Sequence, residues 1–145
     1  MSTLKEEKYP FISKFISGWL LLTGFFFILE VGLDLLGFPV VQAVTYDKGF
    51  EVMRASYAFS SFFIEAPMLI IAGILLLKKT PNSWLFASLS LFFMLHEFVF
   101  AISYFIRLNI MDQLSFDYLG YLTLLIVINI PAIFYLYKLR PQSDS

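Results

Sequence analysis

The chain has 145 residues, of which 59% are hydrophobic and only 14% are charged, and its mean hydropathy is +0.80. A soluble domain of this size lacks the polar surface to cover so many apolar side chains, so the composition predicts a membrane protein with several spans. A net charge of -1 without a basic patch argues against a nucleic-acid partner. The absence of cysteine excludes disulfides and thiolate metal ligands.

Four apolar segments follow one another along the chain, each near the length of about 20 residues that one crossing of the hydrocarbon core requires. We expect them at 15–36, 55–77, 83–106 and 118–137. They predict an all-α fold, a single four-transmembrane-helix bundle over residues 1–145, with a disordered tail at 141–145. The first segment is too long for a signal-peptide core and lacks a small-residue cleavage site, so we expect it to be retained.

The distribution of basic residues predicts the orientation, because lysine and arginine accumulate in the cytoplasmic loops of membrane proteins. With four spans, one side receives the larger set, Lys5, Lys8, Lys14, Lys78, Lys79, Lys138 and Arg140, and the other receives Lys48, Arg54 and Arg107. Both termini of this multi-pass protein are therefore expected in the cytoplasm, and the sequence does not identify the membrane. Trp19 and Trp84 are then expected near the cytoplasmic interface, which suits indole rings.

Ionisable side chains inside the predicted spans are candidate functional groups, because inserting each one costs about 2.5–3.5 kcal/mol. They are Glu30, Glu65, His96 and Glu97, with Asp34 nearer the outer boundary. Counting from the flanking basic and aromatic residues places Glu65, His96 and Asn129 at nearly the same depth in mid-membrane. Glu30 lies one turn further out.

Helical periodicity indicates which of these side chains face the bundle interior. On the third helix, a polar stripe repeats every seven residues, at Ser83, Ser90, Glu97 and Tyr104. On the second helix, Ser61 and Glu65 are one turn apart. His96 points about 100° away from Glu97, so we favour Glu97 as inward-facing and leave the direction of His96 open. For Asn129 and Ser61, a role in holding helices together is as good an interpretation as a role in a site.

Two prolines are expected to widen the centre of the bundle. Pro67 and Pro131 each follow a mid-membrane polar residue, Glu65 or Asn129, by two positions. Proline has no N–H and loosens the helix near the carbonyl four residues back. Such a carbonyl must be satisfied within a membrane by water, a neighbour or a ligand. We therefore predict a cavity between the helices.

Several common catalytic and cofactor patterns are missing. A di-iron bundle needs Glu-x-x-His pairs, but the single histidine, His96, directly precedes Glu97. One histidine also excludes a haem held by two imidazoles, and the sequence contains no phosphate-binding loop, nucleophile elbow or H-E-x-x-H motif. We expect neither a metal nor a cofactor, and the sequence leaves enzymatic activity open.

The residues predict instead an acidic cavity lined by aromatic rings. An acid in such a cavity can exchange a proton with an apolar ligand, and a carboxylate can bind a lipophilic ammonium ion with help from the rings. Our leading hypothesis is a binding protein for a sterol-like or other lipophilic, cationic small molecule, with isomerase-type proton transfer as an additional activity. The catalytic candidates are Glu65 and Glu97, and the ligand-binding candidates are Glu30, Asp34, Ser61, His96, Tyr104 and Asn129.

Two other functions fit the same residues. The first is a small proton-coupled transporter or efflux unit, expected to be a homo-oligomer because four helices enclose little space. The second is a non-catalytic subunit whose acids bind a basic residue of a partner membrane protein. The expected partners are thus a lipophilic small molecule, membrane lipids, and either further copies of the chain or another membrane subunit.

Short stretches of the chain resemble the emopamil-binding and sigma-2 receptor superfamily, the EXPERA domain. They are "LDLLGFP" after the first helix, "FFIEAP" in the second, "LLKKTPNSW" before the third and "INIP" in the fourth, so the resemblance spans most of the chain. It implies a four-helix fold with cytoplasmic termini and a pocket for sterols or cationic amphiphiles that opens sideways to lipid. It also implies a pocket acid near Asp34 and another on the second helix.

The chain departs from this family in two respects. The family's acid on the second helix usually stands nearer the outer end than Glu65, where this chain has Ala58 or Ser61. The isomerase's histidine and glutamate, one turn apart on the first helix, are matched only in spacing by Glu30 and Asp34. These departures weaken the implied isomerase activity more than the implied binding pocket.

Overall fold

A computed structural model describes residues 10–36, 59–108 and 116–140. In this part of the chain the regular structure is helical: α1 is Pro10–Leu35, α2 is Ala66–Leu77, α3 is Ser83–Leu108 and α4 is Phe116–Lys138. A π-helical turn, Ser61–Glu65, leads directly into α2. The predicted all-α chain with four helices is confirmed. The expected tail at 141–145, the start of the second span at 55–58 and the basic residues Lys5, Lys8, Lys48 and Arg54 lie outside the described residues.

The first helix begins earlier than expected, at Pro10 instead of near Phe15. Proline suits the first turn of a helix, where its fixed φ is helical and its missing N–H is not needed. The expected start excluded Lys14 because of its charge. The side chain of Lys14 is exposed, however, so the helix carries it without burying the ammonium group.

A tight turn joins α2 to α3. Lys79 adopts a positive φ of 52°, and its N–H donates to the carbonyl of Leu76 at 3.1 Å, while the N–H of Thr80 donates to the carbonyl of Leu75 at 3.3 Å. This pair of hydrogen bonds is the Schellman termination of a helix, and Pro81 then prevents its continuation. The short connection makes α2 and α3 an antiparallel hairpin.

The closest packing in the bundle is between α1 and α2. A Cβ atom on Gly24 would lie 2.7 Å from Cγ1 of Ile70 and 3.0 Å from the carbonyl oxygen of Ala66, and one on Gly73 would lie 2.8 Å from Cγ of Leu21. Both glycines therefore allow backbone approach that a side chain would block, as in small-residue packing between membrane helices. Because Gly24 faces 66–70 and Gly73 faces Leu21, the two helices are antiparallel.

The other two helices complete the bundle. α3 packs against α2 and more extensively against α4, whereas backbone contact between α1 and α4 is sparse. Only residues 109–115 separate α3 from α4, so these two packed helices run in opposite directions. The core takes fully buried leucines from every helix: Leu20, Leu69, Leu91, Leu125 and Leu136.

Large apolar side chains cover the outside of all four helices. Phe25 on α1, Ile71 on α2, Phe92 on α3 and Phe134 on α4 are 59%, 53%, 65% and 67% exposed. Polar side chains such as Asn129, in contrast, are buried. The apolar exterior differs from the polar one that a water-soluble bundle presents.

Within the described residues, the segment Pro10–Leu33 has the length and the hydropathy, 1.9 on average, to cross a membrane. The apolar parts of the other helices are shorter, at Ser61–Leu77, Ser83–His96 and Thr123–Lys138. Length and composition therefore qualify one helix, near the start of the chain, as a candidate membrane span.

Candidate functional site

The bundle interior contains several polar side chains among the described residues. The buried ones are Ser13, Ser17, Thr23, Ser61, Ser83, Ser90 and Asn129. Ser17 and Ser90 donate to the carbonyls of Ser13 and Phe86, one turn back on their own helices, at 2.8 Å each. Serine in a helix commonly satisfies itself in this way. These hydroxyls are therefore less available to a ligand than a polar atom that lacks a partner.

Asn129 connects the last helix to the first. The indole N–H of Trp19 donates to Oδ1 of Asn129 at 2.9 Å, and the Asn129 side chain is fully buried. An indole N–H can only donate, so the amide atom that faces it must be the oxygen. The Nδ2 group therefore points away from Trp19, where it is buried and has no acceptor among the described residues.

Glu65 is the last residue of the π-helical turn. Its side chain is half-buried, and Oε2 is buried without a donor in the described part of the chain. The N–H of Ala66 donates to the carbonyl of Ser61, five residues back, so the turn is wider than an ordinary α-helical one. Pro67 follows immediately and cannot donate to the carbonyl of Phe63. Glu65 therefore lies where a widened helical turn meets a proline.

Aromatic rings lie on the same stretch of chain as Glu65, Phe62 and Phe63 within the π-helical turn and Phe59 just before it. The rings of Phe59 and Phe63 have centroids 4.6 Å apart at 49°, and those of Phe62 and Phe63 are 5.0 Å apart at 80°. Tilted and edge-on contacts of this kind are favourable. Phe62 is half-buried, whereas Phe59 and Phe63 are exposed. The turn thus combines one carboxylate with an aromatic cluster that reaches the outer surface.

Glu65 and Asn129 are both linked to α1. The carbonyl oxygen of Ala66, the residue after Glu65, lies at the level of Gly24, and Asn129 is bonded to Trp19. Five helical residues separate Gly24 from Trp19, a rise of about 7.5 Å along α1, which is comparable to the reach of an indole side chain. The expected common depth of Glu65, His96 and Asn129 therefore stays a prediction.

The other predicted site residues differ in how far their side chains are buried. Ser61 is buried at the start of the turn that ends in Glu65, and Glu30 is half-buried on α1. His96 is exposed on α3, on the outside of the bundle. Ser83 and Ser90, from the predicted heptad stripe, are fully buried. The side chains of the last three candidates, Asp34, Glu97 and Tyr104, lie outside the described residues.

Trp19 is the residue that the sequence-based site prediction missed. We expected it at the cytoplasmic interface, whereas its N–H bonds to a buried amide. No pattern in the sequence indicated this pair, because the bond depends on the relative height of two helices that are far apart in the chain. A buried amide oxygen needs a donor at its own depth.

The described part of the chain offers unpartnered hydrogen-bonding groups. Among these residues, no group of three histidine, aspartate or glutamate side chains is placed to hold a metal ion. Three buried side-chain atoms have no hydrogen-bond partner there: Oε2 of Glu65, which accepts, Nδ2 of Asn129, which donates, and Oγ of Ser83, which can do either. Together with aromatic rings, such groups suit an organic ligand that has few polar atoms.

Comparison with known proteins gives no relative. No protein-family model matches the chain, and neither curated proteins nor solved structures provide a match. The resemblance to the emopamil-binding superfamily thus remains a prediction from short stretches of sequence. Function has to be argued from the residues themselves.

Proposed function

We propose that this chain is a four-helix integral membrane protein that binds a lipophilic, sterol-like or cationic small molecule, with Glu65 as its polar anchor. One observation carries the proposal: Oε2 of Glu65 is buried and has no donor among the described residues. A buried acceptor without a partner costs about 1–3 kcal/mol. A ligand that donates from an ammonium or hydroxyl group would recover this free energy.

The apolar outer faces of the bundle support a membrane location with four spans. Phenylalanine and aliphatic side chains cover the outer faces, and serines and Asn129 lie within. Lipid favours this arrangement, because apolar side chains need no cover and polar groups must be satisfied inside the bundle. The close contact between α1 and α2 at Gly24 and Gly73 is also typical of helices that pack in lipid.

The basic residues support one orientation. Exposed cations lie at the end of the bundle where α1 begins, α2 meets α3 and α4 ends: Lys14, Lys78, Lys79, Lys138 and Arg140. Arg140 lies over the ring of Tyr137 at 4.2 Å from its centroid and donates to its hydroxyl. Arg107 stands at the opposite end. This asymmetry favours a cytoplasmic location for the lysine-rich end.

The ligand class follows from the carboxylate and from the aromatic rings on the same stretch of chain. A carboxylate attracts an ammonium group or accepts a hydrogen bond from a hydroxyl, and aromatic faces attract the same cation. The Phe59, Phe62 and Phe63 rings offer an apolar surface at the turn that carries Glu65. Isomerase-type proton transfer would need a second acid–base group, and Glu97 is the residue that the sequence offers.

The test is to replace Glu65 by glutamine, which keeps the shape and removes the charge. Wild-type protein in detergent is expected to be stabilised against heat by an amino-steroid, and Glu65→Gln is expected to weaken binding tenfold or more, since charged hydrogen bonds are the strong ones. His96→Gln is the matched control, because His96 is exposed on the outside of the bundle. Equal binding by wild type and Glu65→Gln would contradict the proposal.

The same proteins distinguish the alternative functions. Proton-driven, saturable flux across vesicles that is lost in Glu65→Gln would identify a transporter. Stoichiometric co-purification with another membrane protein, without ligand binding or flux, would identify a subunit of a complex. The proposed binding protein gives neither result.

A further inference from the structure

The outer face of α3 is apolar except for two side chains. Positions along this face are exposed at alternating intervals of four and three residues: Leu85, Leu89, Phe92, His96, Val99, Ser103 and Ile106. The apolar members are between 42% and 65% exposed. Intervals of four and three residues are the pattern of a helix that packs along a second helix. Within the described part of the chain, α3 contacts α2 and α4, and this face is left uncovered.

His96 is the feature of this face that contact with lipid does not explain. It lies in the middle of α3, 13 residues after Ser83 and 12 residues before Leu108. It is therefore about 18 Å or more from either end of the helix by helical rise. Its side chain is exposed on the outside of the bundle. In a protein with four spans this places an imidazole ring against hydrocarbon, where a polar group without a partner is costly.

A second copy of the chain offers His96 a matching partner. A neutral imidazole has one N–H donor and one nitrogen acceptor, so two such rings can hydrogen-bond to each other. Because the basic residues give every copy the same orientation in the membrane, a twofold axis along the membrane normal makes the two α3 helices parallel. Equal positions are then at equal heights, and His96 lies opposite His96 of the second copy. The same symmetry brings the two Ser103 side chains to one level.

We infer that the outer face of α3 is the contact surface of a homodimer, with a hydrogen bond between the two His96 rings at its centre. The inference rests on the four-span membrane location proposed above and not on the identity of the ligand. Histidine and serine side chains commonly form such hydrogen bonds between membrane helices. A different partner protein would need its own polar group at this depth, whereas a second copy has one there by symmetry.

The first test is the oligomeric state of the purified full chain in detergent, measured by sedimentation equilibrium. Wild type is expected to be a dimer. His96→Leu is expected to raise the dissociation constant about tenfold, because leucine forms no hydrogen bond and gains little by exchanging lipid for another apolar surface. His96→Gln keeps a donor and an acceptor, so it is expected to dimerise like wild type. Neither substitution alters the core, since His96 is exposed.

Crosslinking within the membrane tests the contact surface independently of the His96 variants. The chain has no cysteine, so Leu89→Cys or Ser103→Cys places a single thiol on the outer face of α3. Val127→Cys places one on α4, where Val127 is 62% exposed, and serves as the control. With a mild oxidant, the two α3 variants are expected to form disulfide-linked dimers, and Val127→Cys is expected to remain monomeric.

Three results would each overturn the inference: a monomeric wild type, equal dissociation constants for wild type and His96→Leu, or equal crosslinking of Ser103→Cys and Val127→Cys. If a monomeric wild type still binds the amino-steroid through Glu65, the proposed function stands without the dimer. If the dimer forms as expected and no amine binds, the dimer stands and the proposed ligand fails.

Discussion

The indole N–H of Trp19 donates to Oδ1 of Asn129 at 2.9 Å, between residues that are 110 positions apart in the chain. This bond joins the first helix to the last, where backbone contact is sparse. Asn129 is fully buried, so its side-chain oxygen is not accessible to water that could donate a hydrogen bond to it. Each partner therefore depends on the other for a hydrogen bond, which makes the pair suitable for a quantitative test.

Trp19→Phe is expected to lower the free energy of unfolding by about 1–3 kcal/mol, because it leaves a buried amide oxygen without a donor. Asn129→Leu alone is expected to lower it by less, since it leaves the half-buried indole N–H unpaired but also removes the unpartnered Nδ2 group. Thermal unfolding of the purified protein in detergent measures both. The double variant should lose less than the sum of the single losses, because no polar group is then left unsatisfied. Strictly additive losses would show that the bond contributes nothing.

Gly24→Val is expected to separate α1 from α2. Its Cβ would lie 2.7 Å from Ile70 and 3.0 Å from the backbone oxygen of Ala66, and backbone cannot move aside as a side chain can. Overpacking of this kind costs about 1–3 kcal/mol. The thermal midpoint in detergent should fall accordingly.

Gly18→Val provides the matched control for this substitution. No atom lies within 4 Å of the position that a Cβ on Gly18 would occupy, although Gly18 is on the same helix. Its thermal midpoint should stay close to that of wild type. An equal loss in both variants would mean that valine destabilises α1 by itself, and would remove the argument for close packing at Gly24.

The number and approximate positions of the helices could be predicted, because apolar length and helical propensity are local properties of the sequence. The partnership of Trp19 with Asn129 could not, since it depends on the relative height of two helices far apart in the chain. The apolar pattern placed the start of α1 near Phe15, whereas exposed Lys14 belongs to a helix that begins at Pro10. Depth is set by packing between helices, and it is not encoded in any one of them.

The disturbance at Glu65 was foreseeable from the sequence only in part. Pro67 indicates that the helix must change near Phe63, since one N–H is missing. The form of the change, a π-helical turn over Ser61–Glu65, is decided by the neighbours that pack on either side. Likewise, a heptad repeat indicated that Ser83 and Ser90 face inward, and both are buried. Periodicity alone left the direction of His96 open, and its side chain is exposed.

Lys79→Gly is expected to stabilise the protein. Lys79 has a φ of 52° at the end of α2, a left-handed conformation that costs a residue with a Cβ about 1–2 kcal/mol and costs glycine little. The thermal midpoint should therefore rise. Lys79→Ala removes the same charge and most of the same side chain but keeps the Cβ, so it should give no such rise. Equal midpoints for the two variants would contradict this explanation.

Labelling of single cysteines tests the four-span topology directly, because the chain has no cysteine of its own. Lys78→Cys and Lys138→Cys mark the lysine-rich end of the bundle, and Arg107→Cys marks the other end; all three positions are exposed. In cells that express the protein in their plasma membrane, a membrane-impermeant maleimide should label Arg107→Cys and should leave the two lysine replacements unlabelled until the membrane is opened. If the membrane contained α1 alone, Lys78→Cys and Arg107→Cys would be on the same side and would label alike. That result would contradict four spans, whereas opposite labelling requires the membrane to lie between the two ends of α3.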